Sequence, residues 1–411
     1  MSIKKEALII TTVGGFLQQF EMQHVRLLQE AGYHIHYASN FNNRVYDCDI
    51  AALAELGIKI HHVNIQKNPA AFIENYKALR KIIGIIRKEN IQIVHCHNPV
   101  GGVIGRLAGH LCGNKCLKVI YTAHGFHFYK GASWTNWLIF YQIEKMLARL
   151  TDVLIVINKE DYQYASSFNL KPEGKVYWIP GTGLDLTKFK MADDKEKKEL
   201  RKELSISDNQ FFLLSVGELN KNKNHTVIIK ALSLLKKQGL RADQLHYGIC
   251  GDGCFKQELT RQIQKEELED YISLYGYTSD VRKYLAAADS FAFPTIREGL
   301  GMACIEAMAM GLPIIALDNR GIREYMRHNE TGIICRSNSA EEFARSIELM
   351  MTVDAETYRS MVKNCRRTAE NYEINTTIYI MKHMYEEVIS KIEKCREKEE
   401  RDCYRNNISC N

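Results

Sequence analysis

The chain has 411 residues, of which 45% are hydrophobic and 25% are charged, so it is too long for one ordinary core and has the composition of a two-domain globular protein. Its formal net charge of +6 suits an anionic ligand or an anionic membrane surface, and it is too small to indicate nucleic-acid binding. No run reaches the roughly 18 apolar residues of a membrane-spanning helix.

The first half of the chain alternates short β-branched runs with longer segments of helical period. This alternation indicates a parallel sheet with helices on both faces, and we predict a Rossmann-like domain over residues 1–188. The predicted strands are ALIITTV, HIHYAS, IQIVHCH, LKVIYTAHG and TDVLIVIN.

A charged linker and helix, KFKMADDKEKKELRKEL, precede a second series of the same kind. We predict a second Rossmann-like domain over residues 189–370, so that two doubly wound α/β domains face a central cleft. Residues 371–411 carry an apolar stripe spaced four and three apart, which predicts a crossover helix that docks on the body before a charged tail. The stripe is too short to favour a dimerising coiled coil, so we expect a monomer or a weak dimer.

Twelve cysteines are scattered along the chain, several of them inside apolar stretches. Because the chain begins without the pattern of a secretory signal, we expect reduced thiols in a cytosolic protein rather than a disulfide framework. Cys112 and Cys116 form a C-x3-C pair without a second pair, which argues against a zinc site there.

Glycine turns follow four predicted strands, where open parallel sheets bind their ligands. None of them is a dinucleotide fingerprint or a Walker A loop. Any single turn could simply join a strand to a helix, whereas four at corresponding strand ends favour a ligand site. The turns lie at Gly14-Gly15, Gly125, Gly217 and Gly251-Asp252-Gly253.

The segment PTIREGLGMACIEAMAMGLP combines two glutamates with a glycine-rich helix start. Gly299 and Gly301 make helix unfavourable before Met302, so Glu298 is expected in a loop and Glu306 in the second helical turn. The exposed amide groups at such a helix start suit a pyrophosphate, and the carboxylates suit sugar hydroxyls. The alternative is a plain glycine turn before an amphipathic helix.

Several motifs, in order along nearly the whole chain, resemble the retaining glycosyltransferases of family 4, which have the GT-B fold. EGLGMACIE resembles that family's glutamate–seven residues–glutamate signature. VGELNKNKNH resembles its phosphate-binding turn, and GICGDG resembles the glycine turn that follows. TTVGGF is similar to its N-terminal glycine loop and TAHGFHFY to its histidine loop.

The resemblance implies that the first domain binds the acceptor and that the second binds the nucleotide sugar. It also implies a role for each matching residue. Glu298 would position the transferred sugar, Lys223 would neutralise the diphosphate, and His124 would face the sugar, although His124 could instead be a hydrogen-bonded histidine at a strand end. Glu306 would bind the ribose, and no metal or other cofactor is implied. Donor contacts are expected from Gly14, Gly15, Gly217, Lys221, Lys223, Gly251, Tyr277, Gly299, Leu300, Gly301, Met302 and Glu306.

One position departs from the family pattern. The residue after the glycine of the phosphate turn is usually arginine, and here it is Glu218. A carboxylate facing a diphosphate would be repelled. Either Glu218 points away, or Lys221 supplies the charge, or the protein is a weak catalyst. We favour an active enzyme helped by Lys221.

The aromatic and basic segment from Gly125 to Lys145 suits a membrane interface or an amphiphilic acceptor, or else a helix that packs over the first domain. It resembles the subgroup that builds capsular polysaccharide, exopolysaccharide or O-antigen on undecaprenyl-diphosphate-linked sugars. The residues expected at the acceptor or the membrane are Phe126, Phe128, Tyr129, Lys130, Trp134 and Trp137.

We therefore expect transfer of a hexose or N-acetylhexosamine from a UDP-sugar to a lipid-linked glycan, at the inner face of the cell membrane. Three alternatives stay open at this stage. They are a glycosyltransferase with a soluble acceptor, a UDP-N-acetylhexosamine 2-epimerase and a non-catalytic nucleotide-sugar binder.

Overall fold

The computed structural model describes residues 4–43 and 46–405. The chain divides into two compact units, one made of residues 1–182 and 375–411 and the other of residues 183–374. Each unit is an open α/β fold with a parallel sheet, as the strand–helix alternation predicts. The predicted domain limits at residues 188 and 370 lie a few residues from those of the two units.

The first unit contains a seven-stranded sheet in the order β3-β2-β1-β4-β5-β6-β7, and each neighbouring pair is parallel. The direction of winding reverses between β1 and β4, and open sheets bind ligands beside the carboxyl ends at such a reversal. The strands are β1 (Glu6–Ile10), β2 (His34–Ser39), β3 (Lys59–His62), β4 (Ile93–His97), β5 (Lys118–Ala123), β6 (Val153–Val156) and β7 (Lys175–Trp178).

Helices connect these strands. One π-helical turn, Leu17–Glu21, leads into the first helix, and a second, Trp137–Tyr141, joins two short helices that follow β5. Arg106 is buried between helix and sheet, where its guanidinium lies 2.7 Å from the Glu144 carboxylate and 4.0 Å from the Tyr121 ring centroid. The helices are α1 (Met22–Glu30), α2 (Ile50–Glu55), α3 (Phe72–Lys88), α4 (Pro99–Leu111), α5 (Trp134–Asn136), α6 (Gln142–Ala148) and α7 (Lys159–Ala165).

The second unit contains a six-stranded parallel sheet in the order β10-β9-β8-β11-β12-β13, which reverses between β8 and β11. Its strands are β8 (Phe211–Val216), β9 (Leu245–Cys250), β10 (Ile272–Gly276), β11 (Ser290–Phe293), β12 (Ile314–Leu317) and β13 (Gly332–Cys335). Its helices are α8 (Asp194–Glu203), α9 (His225–Lys237), α10 (Lys256–Lys265), α11 (Arg282–Ala287), α12 (Met302–Ala309), α13 (Ala340–Thr352) and α14 (Ala355–Ala369).

The last helix, α15 (Ile374–Arg405), packs on the first unit, as the apolar stripe predicts. Met381, Tyr385, Val388 and Ile392 are buried along it. The segment predicted as a charged tail continues the helix as far as Arg405. Among the described residues, no helix combines the length and apolar character needed to cross a membrane.

The expectation that all cysteines are reduced is also wrong. Cys395 of α15 forms a disulfide with Cys116, across a sequence separation of 279 residues. Their Cα atoms lie 5.6 Å apart, within the range that a disulfide requires. Sequence spacing could not predict this pair, since only the docking of α15 brings it together. Among the cysteines whose side chains are described, the free ones are Cys48, Cys96, Cys112, Cys250, Cys254, Cys304, Cys335 and Cys365.

Candidate active site

In the second unit, the turns that follow β8, β9 and β11 meet at the carboxyl edge of the sheet, where the strand order reverses. The turn after β8 contains Lys223, and the loop after β11 contains Glu298. Lys223 Nζ lies 2.6 Å from Glu298 Oε2, and both side chains are about one-fifth exposed. The lysine also lies 5.5 Å from the Phe293 ring centroid. Two residues 75 positions apart therefore form one ion pair at the predicted site.

Asparagines of the phosphate-like turn hold the glutamate loop in place. Asn222 exchanges hydrogen bonds with Arg297, accepting from its amide at 3.1 Å and donating to its carbonyl at 2.9 Å. Asn224 donates to the Pro294 carbonyl at 3.1 Å. Such side chain–backbone bonds fix the loop conformation, so Glu298 is presented from a rigid support rather than from a mobile tip.

Close backbone approach explains why the turn after β9 contains Gly251. A Cβ atom at Gly251 would lie 1.9 Å from the Gly217 carbonyl oxygen, so only glycine allows the turns after β8 and β9 to meet. Gly217 in turn lies beside Lys223, whose side-chain carbons would be 3.5 Å from a Cβ atom at that position. Three predicted donor residues are thus brought together here.

The helix α12 begins at Met302, as predicted, and Glu306 lies in its second turn. Gly301 precedes it with φ of 87°, a left-handed conformation that glycine adopts without strain. Burial raises the pKa of the Glu306 carboxyl to about 7, because the surroundings disfavour the charged form. Glu306 therefore changes charge near neutral pH, an unusual property for a glutamate and one that often marks a functional site.

The remaining predicted donor residues of this unit differ in exposure. Leu300 is buried and Met302 is partly buried, whereas Lys221 and Tyr277 are exposed. The side chain of Glu218 is also exposed. The carboxylate at the departure from the family pattern is therefore solvated rather than enclosed.

Sequence reasoning did not single out Arg320, in the loop after β12. Its side chain is buried, and its Nε donates to the Glu298 carbonyl at 3.3 Å. It thereby adds a second positive charge beside the Lys223–Glu298 pair. The available signal was a basic residue three positions after a buried strand, in LDNRG.

In the first unit, Gly14 and Gly15 follow β1 at the reversal of strand order. A Cβ atom at Gly14 would lie 2.7 Å from the Phe41 ring, and one at Gly15 would lie 2.5 Å from the Asp47 carbonyl oxygen. Packing against the segment after β2 therefore requires both glycines, independently of any ligand.

His124 follows β5 and meets two residues that sequence reasoning missed, Glu21 and His97. Its Nε2 lies 3.4 Å from Glu21 Oε1 and 3.3 Å from His97 Nδ1, and Glu21 Oε1 lies 3.8 Å from His97 Nδ1. Burial lowers the pKa of both histidines, so neutral imidazoles are favoured. His95 and His97 share one face of β4, and this alternation in VHCH was the signal available in the sequence.

The predicted interfacial segment divides into a buried and an exposed part. Phe126 and Phe128 are core residues stacked at 4.7 Å, so their assignment to the acceptor or membrane surface is wrong. Trp137 packs partly buried against the same core. Trp134 is 72% exposed, and Tyr129 and Lys130 lie in the turn before it. An aromatic run alone could not distinguish these two environments.

Two family models and a bacterial relative match long segments of this chain. Residues 196–368 match the model of the glycosyl transferases group 1 family, and residues 20–158 match that of the glycosyl transferase 4-like family. EpsD of Bacillus subtilis (strain 168) is 33% identical over 381 residues, which cover 93% of this chain and 96% of EpsD.

Two further matches are an enzyme from Escherichia coli and a crystal structure from Anabaena. The Escherichia coli UDP-Gal:α-D-GlcNAc-diphosphoundecaprenol α-1,3-galactosyltransferase is 29% identical over 322 residues, covering 78% of this chain and 81% of that enzyme. The crystal structure of Anabaena HepE in complex with UDP-glucose superposes with a TM-score of 0.72 at 17% identity, covering 93% of this chain and 99% of HepE. The HepE match shows the shared fold.

Proposed function

The chain belongs to the group 1, GT4-like glycosyltransferases of GT-B fold, and on that basis we propose that it transfers a sugar from a UDP-sugar to an undecaprenyl-diphosphate-linked glycan. The product would be a bacterial surface polysaccharide. The observation that carries the proposal is the Lys223–Glu298 pair, held at the strand-order reversal beside the open start of α12.

The charges at this edge suit a departing nucleoside diphosphate. Cleavage of the sugar–phosphate bond places negative charge on the diphosphate, and preorganised positive groups lower the barrier to that change. Lys223, Arg320 and the free amides at the start of α12 provide such groups. We propose that they neutralise the diphosphate without a metal ion at this site. The UDP-glucose bound in the HepE crystal structure supports a uridine nucleotide.

The two glutamates take separate roles in this proposal. Glu306, on α12, accepts hydrogen bonds from the ribose hydroxyls, and Glu298 positions the transferred sugar. The acceptor attacks the face from which the diphosphate leaves, and a diphosphate oxygen takes its proton, so the anomeric configuration is retained. The name of the Escherichia coli relative gives UDP-Gal as the donor and an α-1,3 linkage in the product. That combination supports retention.

A lipid-linked acceptor is supported by the diphosphoundecaprenol in the name of the same relative. The first unit offers a surface that suits such a substrate. Trp134, Leu138 and Ile139 are exposed in the segment from α5 to α6, and Lys145 and Arg149 follow them as exposed basic residues. Exposed aromatic, aliphatic and basic side chains favour binding to an anionic interface. We propose peripheral attachment to the inner leaflet of the cell membrane.

The test is a transfer assay with purified protein, a panel of UDP-hexoses and UDP-N-acetylhexosamines, and a polyprenyl-diphosphate-linked sugar as acceptor. Mass spectrometry should show one added sugar on the lipid product, and NMR should show an α linkage. Glu298→Gln should abolish most of this product, whereas Arg297→Gln, a neighbouring exposed residue, should retain it.

Three outcomes would each contradict a distinct part of the proposal. Isomerised donor without transfer would indicate an epimerase. Donor binding without any product across the panel would indicate a non-catalytic binder. Transfer to free sugars with none to the lipid-linked acceptor would exclude the lipid-linked substrate while retaining the enzyme class.

A further inference from the structure

The cluster of Glu21, His97 and His124 in the first unit has the dimensions of a metal site. The three facing atoms, Glu21 Oε1, His97 Nδ1 and His124 Nε2, are separated by 3.3, 3.4 and 3.8 Å. Zinc binds nitrogen and oxygen at 2.0–2.2 Å in tetrahedral geometry, which places neighbouring ligand atoms about 3.4 Å apart. One cation can therefore contact all three atoms without rearrangement of the backbone.

The carboxylate of Glu21 is buried and incompletely satisfied. It is 1% exposed, and its Oε1 atom makes no hydrogen bond within the part of the chain that the structure describes. A hydrogen bond between the rings of His97 and His124 would place one proton between those two nitrogens and leave Oε1 unsatisfied. A buried carboxylate requires donors or a cation, and a cation at the centre of the triangle satisfies all three groups at once.

The other oxygen of Glu21 is held by a chain of hydrogen bonds. His24 Nε2 lies 2.7 Å from Glu21 Oε2, and the other nitrogen of His24 lies 3.2 Å from the Tyr385 hydroxyl. That hydroxyl lies 2.8 Å from His95 Nδ1, and His95 Nε2 lies 2.8 Å from Thr122 Oγ1.

One set of protons satisfies every link of this chain. Thr122 donates to His95, His95 to Tyr385, Tyr385 to His24, and His24 to Glu21. All four links then form at once. Outer hydrogen bonds of this kind orient metal ligands and are a regular feature of metal sites.

Rigid elements carry the three facing residues. Glu21 ends the π-helical turn Leu17–Glu21, a type of turn that is frequent at functional sites. His97 ends β4, and His124 directly follows the neighbouring strand β5. The side chain of His124 is 22% exposed, which gives an ion a route to the cluster.

We propose that Glu21, His97 and His124 bind one divalent transition-metal ion, with Zn²⁺ as the best match to two imidazoles and a carboxylate. Three protein ligands leave a fourth position for water or a ligand oxygen. The resemblance implies no metal and places His124 at the sugar, and the proposal departs from both expectations in the first unit. It does not depend on which sugar or acceptor the protein uses.

The test measures zinc in the full-length protein directly. Protein dialysed against a chelator should bind about one Zn²⁺ per chain in a titration against a chromogenic chelator. Glu21→Gln and His97→Gln should each weaken this binding by about 100-fold or more. His61→Gln is the matched control, because His61 belongs to a separate histidine pair with His36 and should leave zinc binding unchanged.

A second variant guards against loss of folding in the ligand substitutions. Tyr385→Phe removes only the outer hydroxyl and should weaken zinc binding by about tenfold, with the melting curve monitored by circular dichroism. Co²⁺ in the wild type should give the visible absorption of a four-coordinate site. Absence of stoichiometric zinc, or zinc retained equally by Glu21→Gln and His97→Gln, would overturn the proposal. So would zinc that is lost only in Cys395→Ser, since Cys116, Cys395 and Glu399 form another cluster of ligand type.

Discussion

Lys223 Nζ and Glu298 Oε2 form an ion pair at 2.6 Å, so the residue expected at the diphosphate and the residue expected at the sugar are partners of each other. The pair joins the turn after β8 to the loop after β11. A donor that brings its diphosphate to Lys223 therefore also acts on the position of Glu298. The two residues should behave as a coupled unit rather than as independent binders.

Substitution of either partner tests this coupling. Lys223→Ala should lower kcat/KM by about 10²–10³, the usual loss when one group that stabilises developing negative charge is removed. Glu298→Gln should lower kcat with a smaller change in UDP affinity. The double variant should lose less than the product of the single losses, because each single change already breaks the pair. Strictly multiplicative losses in steady-state kinetics would contradict the coupling.

Lys221 and Glu218 test the departure from the family pattern. Both side chains are exposed, and we expect Lys221 to supply the charge that arginine usually supplies. Lys221→Ala should weaken UDP binding by about three- to tenfold, since the lost contact is solvent-screened. Glu218→Arg should tighten it. Isothermal titration calorimetry with UDP measures both, and unchanged affinity in Lys221→Ala would eliminate the compensating role.

The raised pKa of Glu306 predicts a pH-dependent contribution to donor binding. With a pKa of about 7, the carboxyl is mainly neutral at pH 6 and mainly ionised at pH 8. The ionised form accepts ribose hydroxyls more strongly. The ratio of UDP dissociation constants, Glu306→Gln over wild type, should therefore rise by about fivefold between these pH values.

Taking this ratio cancels the effect that the titration of UDP itself has on binding. Glu298→Gln is the control, and its ratio to wild type should not change with pH. Raising the pH strengthens the contribution of Glu306 to donor binding but lowers its contribution to folding stability. Because the folded pKa exceeds the usual value of 4.5, the protonated group favours folding below pH 4.5, and this contribution is lost as pH rises through 7. A flat ratio across the range would show that Glu306 does not contact the nucleotide as a carboxylate.

Exposed apolar residues of the segment from α5 to α6 predict membrane binding. The double variant Trp134→Ala, Leu138→Ser should bind vesicles of anionic phospholipid at least about tenfold more weakly, because each side chain would lose roughly 1.5–3 kcal/mol of burial. Ile50→Ser, at an exposed apolar residue of α2, is the matched control. Sedimentation with vesicles measures the partition, and equal binding by all three proteins would rule out this surface.

The buried pair of Arg106 and Glu144 predicts a large effect on stability. Arg106→Met leaves the Glu144 carboxylate without its cation, and loss of one partner of a buried pair costs about 3–5 kcal/mol. Replacing both residues by methionine should recover most of the loss. Urea denaturation measures the free energies of unfolding, and a single variant as stable as wild type would mean that solvent reaches the carboxylate.

Much of the fold was predictable because its signals are local. Strand–helix alternation depends on residue periods, and the start of α12 depends on Gly301 and the position of Glu306 four residues into the helix. The buried stripe of α15 likewise follows from spacing alone. These features need no knowledge of the rest of the chain.

The parts that were missed depend on long-range contacts. Glu21 and His97, which were missed, come from segments separate from the predicted His124. The three meet only when β4 and β5 pair and the π-helical turn packs over them. The Cys116–Cys395 disulfide has the same origin. Phe126 and Phe128 were placed at the surface because an aromatic run has the same composition in a core and at an interface.

The docking of α15 also has a consequence for how the protein forms during synthesis. The second unit is continuous in sequence, so it is complete as soon as residue 374 has left the ribosome. The first unit is translated first but lacks Tyr385, which links His24 to His95, until the final helix emerges. The half of the molecule made earliest is therefore the last to be finished, and a prematurely terminated chain would leave its histidine cluster open.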